Sequence, residues 1–290
     1  MHCCLEREIK MATYVVSDIH GYFYRFQDCL AKVNFNPTED ELFICGDLTD
    51  RGPHNAEMLE WAYNAPSSVK FIRGNHEDMM LATIKDYERF IKSNEVRSRE
   101  EESYYRYDFA YNNIWTAYNG GLKTFEYVMN LPREHREDLL NWIQSWPLFY
   151  DITVQGRRFV LVHAGLAMNG MRMGDDRYDR GLQTWVDIDD FPTQHSQSLL
   201  WIRENWMLDV EDLPCDVVFG HTPSSYTYKI IEDMNDWIKI DGGEPIPVWK
   251  GKEIVHFGKG LKKHCIDTGR KCMSILRLDD MEEFVSDIEE

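Results

Sequence analysis

Three short clusters in this chain carry side chains suited to chemistry. Asp18 and His20 stand two positions apart, the run Gly46-Asp47-Leu48-Thr49-Asp50-Arg51-Gly52 follows, and Gly74-Asn75-His76-Glu77 completes the set. Carboxylate, imidazole and amide oxygen are the ligands that hard or borderline divalent ions accept. No thiol stands among them, which points to Mn, Fe or Zn and away from softer metals. A single cluster of this kind carries little weight. Three in this order, each at the end of an apolar run, form a coherent ligand pattern.

Buried strands that feed site-forming loops have this appearance: an apolar stretch that stops abruptly at a polar, Gly-containing segment. The run 13–17 leads into Asp18-Ile19-His20-Gly21, the run 42–45 into Gly46-Asp47, and the run 69–72 into Arg73-Gly74-Asn75-His76. Two later runs behave alike, 159–162 before His163-Ala164-Gly165 and 217–219 before Gly220-His221-Thr222-Pro223. Between the first three runs, Phe23, Phe26 and Leu30, and then Met58, Leu59 and Ala62, recur at helical spacing. A strand-helix-strand-helix-strand opening implies parallel pairing, with the loops at the carboxyl ends gathered on one edge.

Residues 78–146 read as helical and strongly charged, with a mixed-charge run at 95–102. Trp115, Leu122, Phe125, Leu139, Leu140 and Trp142 are its candidate core contacts, and the stretch reads as a helical cap over one side of the site. Past Pro147 strands return, with Gln155-Gly156 as a hairpin turn. Residues 233–263 read as loops and short strands, 272–278 as a last strand before an acidic tail. We expect one domain over 11–290, with 78–146 inserted in it and 1–10 as an extension outside the fold; a chain begun at Met11 is expected to fold.

The composition narrows the functional classes. With 43% apolar and 13% aromatic residues among 290, the chain can bury a sizeable core. A formal charge of -18 argues against binding a nucleic acid backbone, which depends on Lys and Arg releasing counterions. Seven Cys with no C-x-x-C pair suggest neither a disulfide framework nor a thiolate zinc site and fit a reducing cytoplasm. No stretch reaches the roughly 18 apolar residues of a membrane span, and the first ten residues do not read as a signal peptide.

Together the clusters resemble the phosphoprotein phosphatase family of binuclear metallophosphoesterases, in its bacterial and phage branch. That family's signature blocks are G-D-x-H-G, G-D-x-x-D-R-G and G-N-H-E; here Ser17 replaces the leading Gly of the first block, and the other two match fully. The resemblance spans 13–269. It implies a mixed α/β fold: a β-sandwich of two mixed sheets flanked by helices, in four layers αββα, with a helical insertion. It also implies that Asp18 and His20 hold one metal, that Asn75, His163 and His221 hold the other, and that Asp47 bridges them. A shared carboxylate keeps two cations roughly 3.5–4 Å apart, close enough to depress the pKa of a shared water. The resemblance then implies in-line attack on phosphorus by the bridging hydroxide, with two divalent ions, Mn foremost and Fe or Zn as alternatives.

By the same resemblance His76 is the general acid, Asp50 orients it, and Arg51 and Arg203 grip the phosphate, with Asn75 and Tyr226 also near substrate. A carboxylate beside an imidazole favours its charged form, so His76 is expected to be protonated at neutral pH. Tyr226, Tyr228 and Cys265-Ile266-Asp267-Thr268-Gly269 fall where family members close the site, but Arg270-Lys271-Cys272 departs from the small residues usual there. The expected reaction is hydrolysis of a phosphate monoester, with a Ser/Thr phosphoprotein as leading substrate. The alternative is a symmetrical dinucleoside polyphosphate such as diadenosine tetraphosphate.

Blander readings stand beside these. His2, His54, His135, His195, His256 and His264 read as structural. Gly21, Gly52 and Gly74 serve as turn residues. Trp201 reads as core, and Arg73 braces a carboxylate such as Glu77 or touches substrate. A nuclease or phosphodiesterase would use similar ligands, but Asp50-Arg51, Glu77 and the net charge favour a phosphatase. A non-catalytic binding module would lack a ligand, the acid or an Arg, and none is missing.

Overall fold

The computed structural model describes residues 11–94, 98–167, 196–209, 212–269 and 272–290. The expected extension at 1–10 and the divergent Arg270-Lys271 pair lie outside the described residues, as do 95–97 of the charged run. The chain opens as β1 (Thr13–Val16), α1 (Phe23–Lys32), β2 (Glu41–Ile44), α2 (Asn55–Tyr63) and β3 (Val69–Phe71). The three strands pair in parallel, Thr13 opposite Glu41 and Leu42 opposite Val69. Their continuous apolar character follows from burial on both faces, as parallel sheets require.

Five helices follow: α3 (Asn75–Ser93), α4 (Arg99–Asn112), α5 (Ile114–Tyr118), α6 (Leu122–Asn130) and α7 (Arg133–Gln144). Trp115, Phe125 and Leu139 are buried in the same cluster as Phe26, Ile44 and Met58, with Leu122, Leu140 and Trp142 packed against it. The helical segment therefore shares its core with the first sheet. After it come β4 (Phe149–Val154) and β5 (Arg157–Val162), joined by Gln155 and Gly156, both with positive φ (52° and 80°). A two-residue turn with both φ positive matches the twist of a hairpin.

The rest of the chain supplies α8 (Ser196–Trp201), α9 (Glu204–Met207), β6 (Asp216–Phe219), α10 (Ser224–Ile240), β7 (Val248–Lys250), β8 (Val255–Phe257), β9 (Lys263–Cys265), β10 (Ser274–Arg277) and β11 (Glu282–Val285). The sheets have the orders β11-β10-β1-β2-β3 and β4-β5-β6-β9-β8-β7, each mixing parallel and antiparallel pairs. Between them lies a dry layer that includes Val15, Phe43, Cys45 and Ile72 from one sheet and Phe159, Leu161, Val218 and Ile266 from the other. Each such side chain stabilises the sandwich by about 1.5–3 kcal/mol. The outer face of the first sheet packs on Phe26, Met58 and Met80, and that of the second on Leu199, Trp206 and Ile231. This is the mixed α/β sandwich, flanked by helices, expected from the motifs.

One expectation fails here. Residues 233–240 continue α10 where loops and short strands were expected. Thr227, Ile231 and Asn235, four apart, bury one helical face, and Gly242 at φ 77° stops the helix.

At the end of the sandwich far from the clusters' loops, four polar residues replace apolar packing. Arg157 donates from Nε to Asp216 Oδ2 at 2.6 Å, His264 Nε2 meets Asp216 Oδ1 at 2.9 Å, and His256 Nδ1 lies 2.7 Å from His264 Nδ1. Burial pushes His256 down to about 3 and also lowers His264. Both imidazoles are thus neutral in the fold and titrate near their ordinary value when unfolded. Their stabilisation is complete above pH 6.5 and is lost as pH falls below it, by up to about 1.4 kcal/mol per pH unit for each histidine. Denaturant midpoints from pH 7 to 5 should therefore fall less steeply in His256→Gln than in the parent chain; identical slopes would remove His256 from the effect.

Candidate metal centre

All five polar clusters leave the carboxyl ends of β1, β2, β3, β5 and β6 on one edge of the sandwich, as parallel pairing dictates. The first two loops are stitched by backbone bonds: Asp18 N–H to Gly46 O (3.1 Å), His20 N–H to Asp47 O (2.9 Å) and Gly21 N–H to Leu48 O (2.9 Å). Ten non-glycine residues have positive φ among those described, and six are here: Asp18, His20, Asp47, Asp50, Arg51 and His221. Left-handed backbone disfavours L side chains, so strain is concentrated where the ligand candidates sit. At Gly74 a Cβ would lie 2.4 Å from Asp47 Oδ1 and 2.6 Å from Asp47 N, so only glycine admits this approach of the β2 and β3 loops.

Asp47 is buried and presents one oxygen to each of two groups. Its Oδ1 lies 3.4 Å from His163 Nε2, while Oδ2 lies 3.6 Å from His20 Nε2. On the first side Asn75 Oδ1 meets His163 Nε2 at 2.8 Å and His221 Nδ1 at 2.9 Å. On the second, Asp18 Oδ1 is 4.0 Å from His20 Nε2. The hydroxyl of Ser17, where the motif has Gly, donates to Asp18 Oδ2 at 2.5 Å, and His221 N–H donates to the same oxygen. Glu77 anchors the centre: Oε2 accepts from Gly74 N–H (2.8 Å) and Asp47 N–H (3.0 Å), and Oε1 from Leu48 N–H (2.8 Å).

These residues fit two cations. Because a carbonyl only accepts, His20 Nδ1 donates to Thr49 O (2.9 Å) and His163 Nδ1 to Cys45 O (2.8 Å). Both Nε2 lone pairs are thereby left for a ligand role, and each ring is fixed by a carbonyl behind it. His221 Nε2 is buried with no hydrogen-bond partner among the described residues. Burial, with Asp267 next, raises Asp18; burial, with Glu77 next, raises Asp47; burial, with Arg51 next, lowers His20. Packed carboxylates and neutral imidazoles of this kind are stable together when a cation lies among them.

Beside Asp47 stands a second constellation. Asp50 Oδ2 lies 2.5 Å from His76 Nδ1, and His76 Nε2 lies 2.8 Å from Arg51 Nη2. The other guanidinium nitrogen, Nη1, contacts His20 Nε2, so the arginine stands in for a cation on that imidazole. The expected protonation of His76 is not what this arrangement holds. Burial and then Arg51 push the imidazole down to about 2, and burial pushes Asp50 up to about 7. An arginine on Nε2 outweighs the neighbouring carboxylate, because guanidinium donates only and so requires the Nε2 lone pair.

A cleft of about 250 Å³ opens over the centre, lined by Asp18, His20, Arg51, Arg203 and His221 with Tyr22, Pro223, Asp267 and Gly269. Arg203 donates from Nη1 to His221 O (3.1 Å) and Thr222 Oγ1 (3.0 Å), and it lines the opening together with Arg51. Asp267, in the Asp-Thr-Gly stretch expected to close the site but not counted among the site residues, lines the cleft at 5% exposure. Tyr226, expected near substrate, lies on the surface with its hydroxyl on Glu204, and Pro223 forms the wall instead. Trp201 is 37% exposed, where a core position was expected, because it ends α8 at the cleft with its ring 5.9 Å from that of His221. Arg73 reaches Asp78 (3.6 Å) and Gln144 O, since the three backbone donors already occupy Glu77.

The clustered carboxylates, amide and imidazoles form a candidate two-cation centre at the loop edge of an αββα sandwich. The sequence matches the profile of the calcineurin-like phosphoesterases over residues 11–244, and the chain belongs to that family. It is 32% identical over 157 residues to the symmetrical bis(5'-nucleosyl)-tetraphosphatase of Actinobacillus pleuropneumoniae serotype 3, a match covering 54% of this chain and 46% of that one. A protein of the same name from Proteus mirabilis is 24% identical over 204 residues, 70% of this chain and 63% of that one. The chain thus spans about half the length of the curated relatives it matches. A crystal structure of a candidate diadenosine tetraphosphatase superposes with a TM-score of 0.54 at 14% identity, covering 96% of this chain and 94% of that one, and shares the fold.

Glu77 carries a testable consequence. Glu77→Gln would set an amide N–H₂ against backbone donors, and bonds to a charged acceptor contribute about 1.5–3 kcal/mol. Urea unfolding at neutral pH should show a loss of about 2–3 kcal/mol; an unchanged midpoint would show that Glu77 does not anchor the loops.

Proposed function

We propose that this chain is a metal-dependent phosphoric ester hydrolase, with a symmetrical dinucleoside tetraphosphate as its leading substrate. One observation carries the reading: Asp47 turns an oxygen to each of two ligand groups, and His20 and His221 from those groups line a cleft together with Arg51 and Arg203. Asp18, His20 and Asp47 would hold one divalent ion and Asp47, Asn75, His163 and His221 the other. When bound, such ions neutralise phosphate charge and generate a nucleophile from water at neutral pH.

The chain's own side chains account for the rest. Arg51 and Arg203 are planar, donor-only forks suited to the non-bridging oxygens of a phosphate. As a phosphate arrives, Arg51 exchanges its imidazole contacts for charged oxygens, which releases His76 Nε2. Once free, Nε2 takes up a proton from water, the Asp50 carboxylate at Nδ1 favouring the imidazolium, and His76 delivers that proton to the leaving oxygen. His76 and Asp50 are thus a pair with Arg51 as the movable member.

On motifs alone a Ser/Thr phosphoprotein comes first. The named relatives, symmetrical bis(5'-nucleosyl)-tetraphosphatases, move the dinucleoside substrate ahead of it. A small cleft with two arginines also suits a chain of phosphates. Mn is the metal we propose, from the oxygen and imidazole donor set.

With added Mn, diadenosine tetraphosphate should be cleaved into two equal nucleotide halves faster than a phosphopeptide or an aryl phosphate is hydrolysed. Faster release from the phosphopeptide would reverse the order, and inactivity on all three would end the enzymatic reading. His76→Asn should keep its metal content while turnover falls by about 10²–10⁴. Asp47→Asn should lose metal from both positions, measured by elemental analysis; retention of two ions with full activity would remove the bridge.

A further inference from the structure

The helical segment does more than cover the site. Asp50 is fully buried, and both of its oxygens accept from that segment: Thr124 Oγ1 donates to Oδ1 at 2.5 Å, and Trp115 Nε1 donates to Oδ2 at 2.5 Å. The loop between these two residues also touches the arginine, since Arg51 N–H donates to Gly120 O at 3.2 Å. Behind the indole, a Cβ on Gly121 would lie 2.3 Å from the ring, so Trp115 has no room to withdraw.

Counting donors fixes the proton of His76. Arg51 Nη2 can only donate, so His76 Nε2 is an acceptor, and a neutral imidazole must then carry its proton on Nδ1. That proton needs an acceptor lone pair at Asp50 Oδ2, 2.5 Å away. Indole N–H also only donates, so Trp115 requires the same oxygen to be an acceptor, and Thr124 orients the carboxylate about its own axis through Oδ1. Without these two donors Asp50 would be a buried carboxylate whose only remaining side-chain bond is to His76 itself, free to rotate or to take up the proton.

We propose that Trp115 and Thr124 are positioning residues: they lock Asp50, and through it the Nδ1–H form of His76, so the helical segment is part of the catalytic apparatus. This rests on the reading of His76 as the proton donor to the leaving oxygen. Neither residue touches the cleft; both act through Asp50.

Two readouts on the zinc-loaded and manganese-loaded protein test this. In ¹⁵N-histidine spectra of the zinc form, the Nδ1–H signal of His76, assigned by its loss in His76→Asn, should disappear in Thr124→Val and in Trp115→Phe and return in Thr124→Ser. In the manganese form, kcat on diadenosine tetraphosphate should fall about tenfold in both variants, with KM within about twofold and metal content unchanged, as for partial loss of a positioned acid. Thr124→Ser should restore kcat. Thr124→Val is nearly isosteric and guards against a folding failure of Trp115→Phe. A His76 signal unchanged in Thr124→Val, or a loss of kcat that Thr124→Ser does not restore, would overturn the positioning role. If the spectra change as stated while the parent chain cleaves no phosphoester, the hydrolase reading fails and the lock on His76 stands.

Discussion

The loop edge depends on one buried carboxylate. Asp47 must stay ionised at 1% exposure, with Oδ1 turned to His163 and Oδ2 to His20, though burial and Glu77 both favour its neutral form. His76 N–H donates to Oδ1, and two cations would supply the remaining charge. Around it the backbone is held in left-handed conformations that cost on the order of 1–3 kcal/mol each. Such strain persists because the strands behind it are over-determined by the dry layer between the sheets.

The two sheets contribute unequally but jointly. The first delivers Asp18, His20, Asp47, Asn75 and the His76–Asp50–Arg51 group; the second delivers His163, His221 and, at the end of β9, Asp267. Neither sheet alone supplies both groups that face Asp47. The inter-sheet core, which includes Cys45, Val218 and Ile266 one to three residues from these side chains, therefore sets their separation. Packing at crystal-like density makes that separation stiff.

Arg51 links the two halves of the site. On His20 and His76 it sits on imidazoles that a metal and a leaving group would engage under the proposed function, and it adds to burial in lowering His76. Under the proposed hydrolysis a phosphate would offer it a better acceptor, so substrate arrival and the availability of His76 Nε2 would become one event. This is why a carboxylate neighbour alone predicted the wrong charge for His76. The decisive neighbour, adjacent in sequence to Asp50, has an orientation that only the fold reveals.

By itself the sequence determined the ligand chemistry and the strand-loop framework, because Asp18, His20, Asp47, Asn75 and His76 sit in contiguous blocks after apolar runs. It also located His163 and His221 through shorter blocks. Local sequence could not decide what depends on contacts distant along the chain. Trp115 and Thr124 lie 65 and 74 residues from Asp50 and look like ordinary helix-core positions, and only tertiary packing turns their N–H and O–H onto its carboxylate. Trp201 and Tyr226 went the other way: aromatic character suggested core or substrate, whereas helix ends at the cleft left one exposed and the other bonded to Glu204. Residue type and spacing fix which atoms can bind a cation or move a proton; the packing of distant helices fixes which of them point at one another.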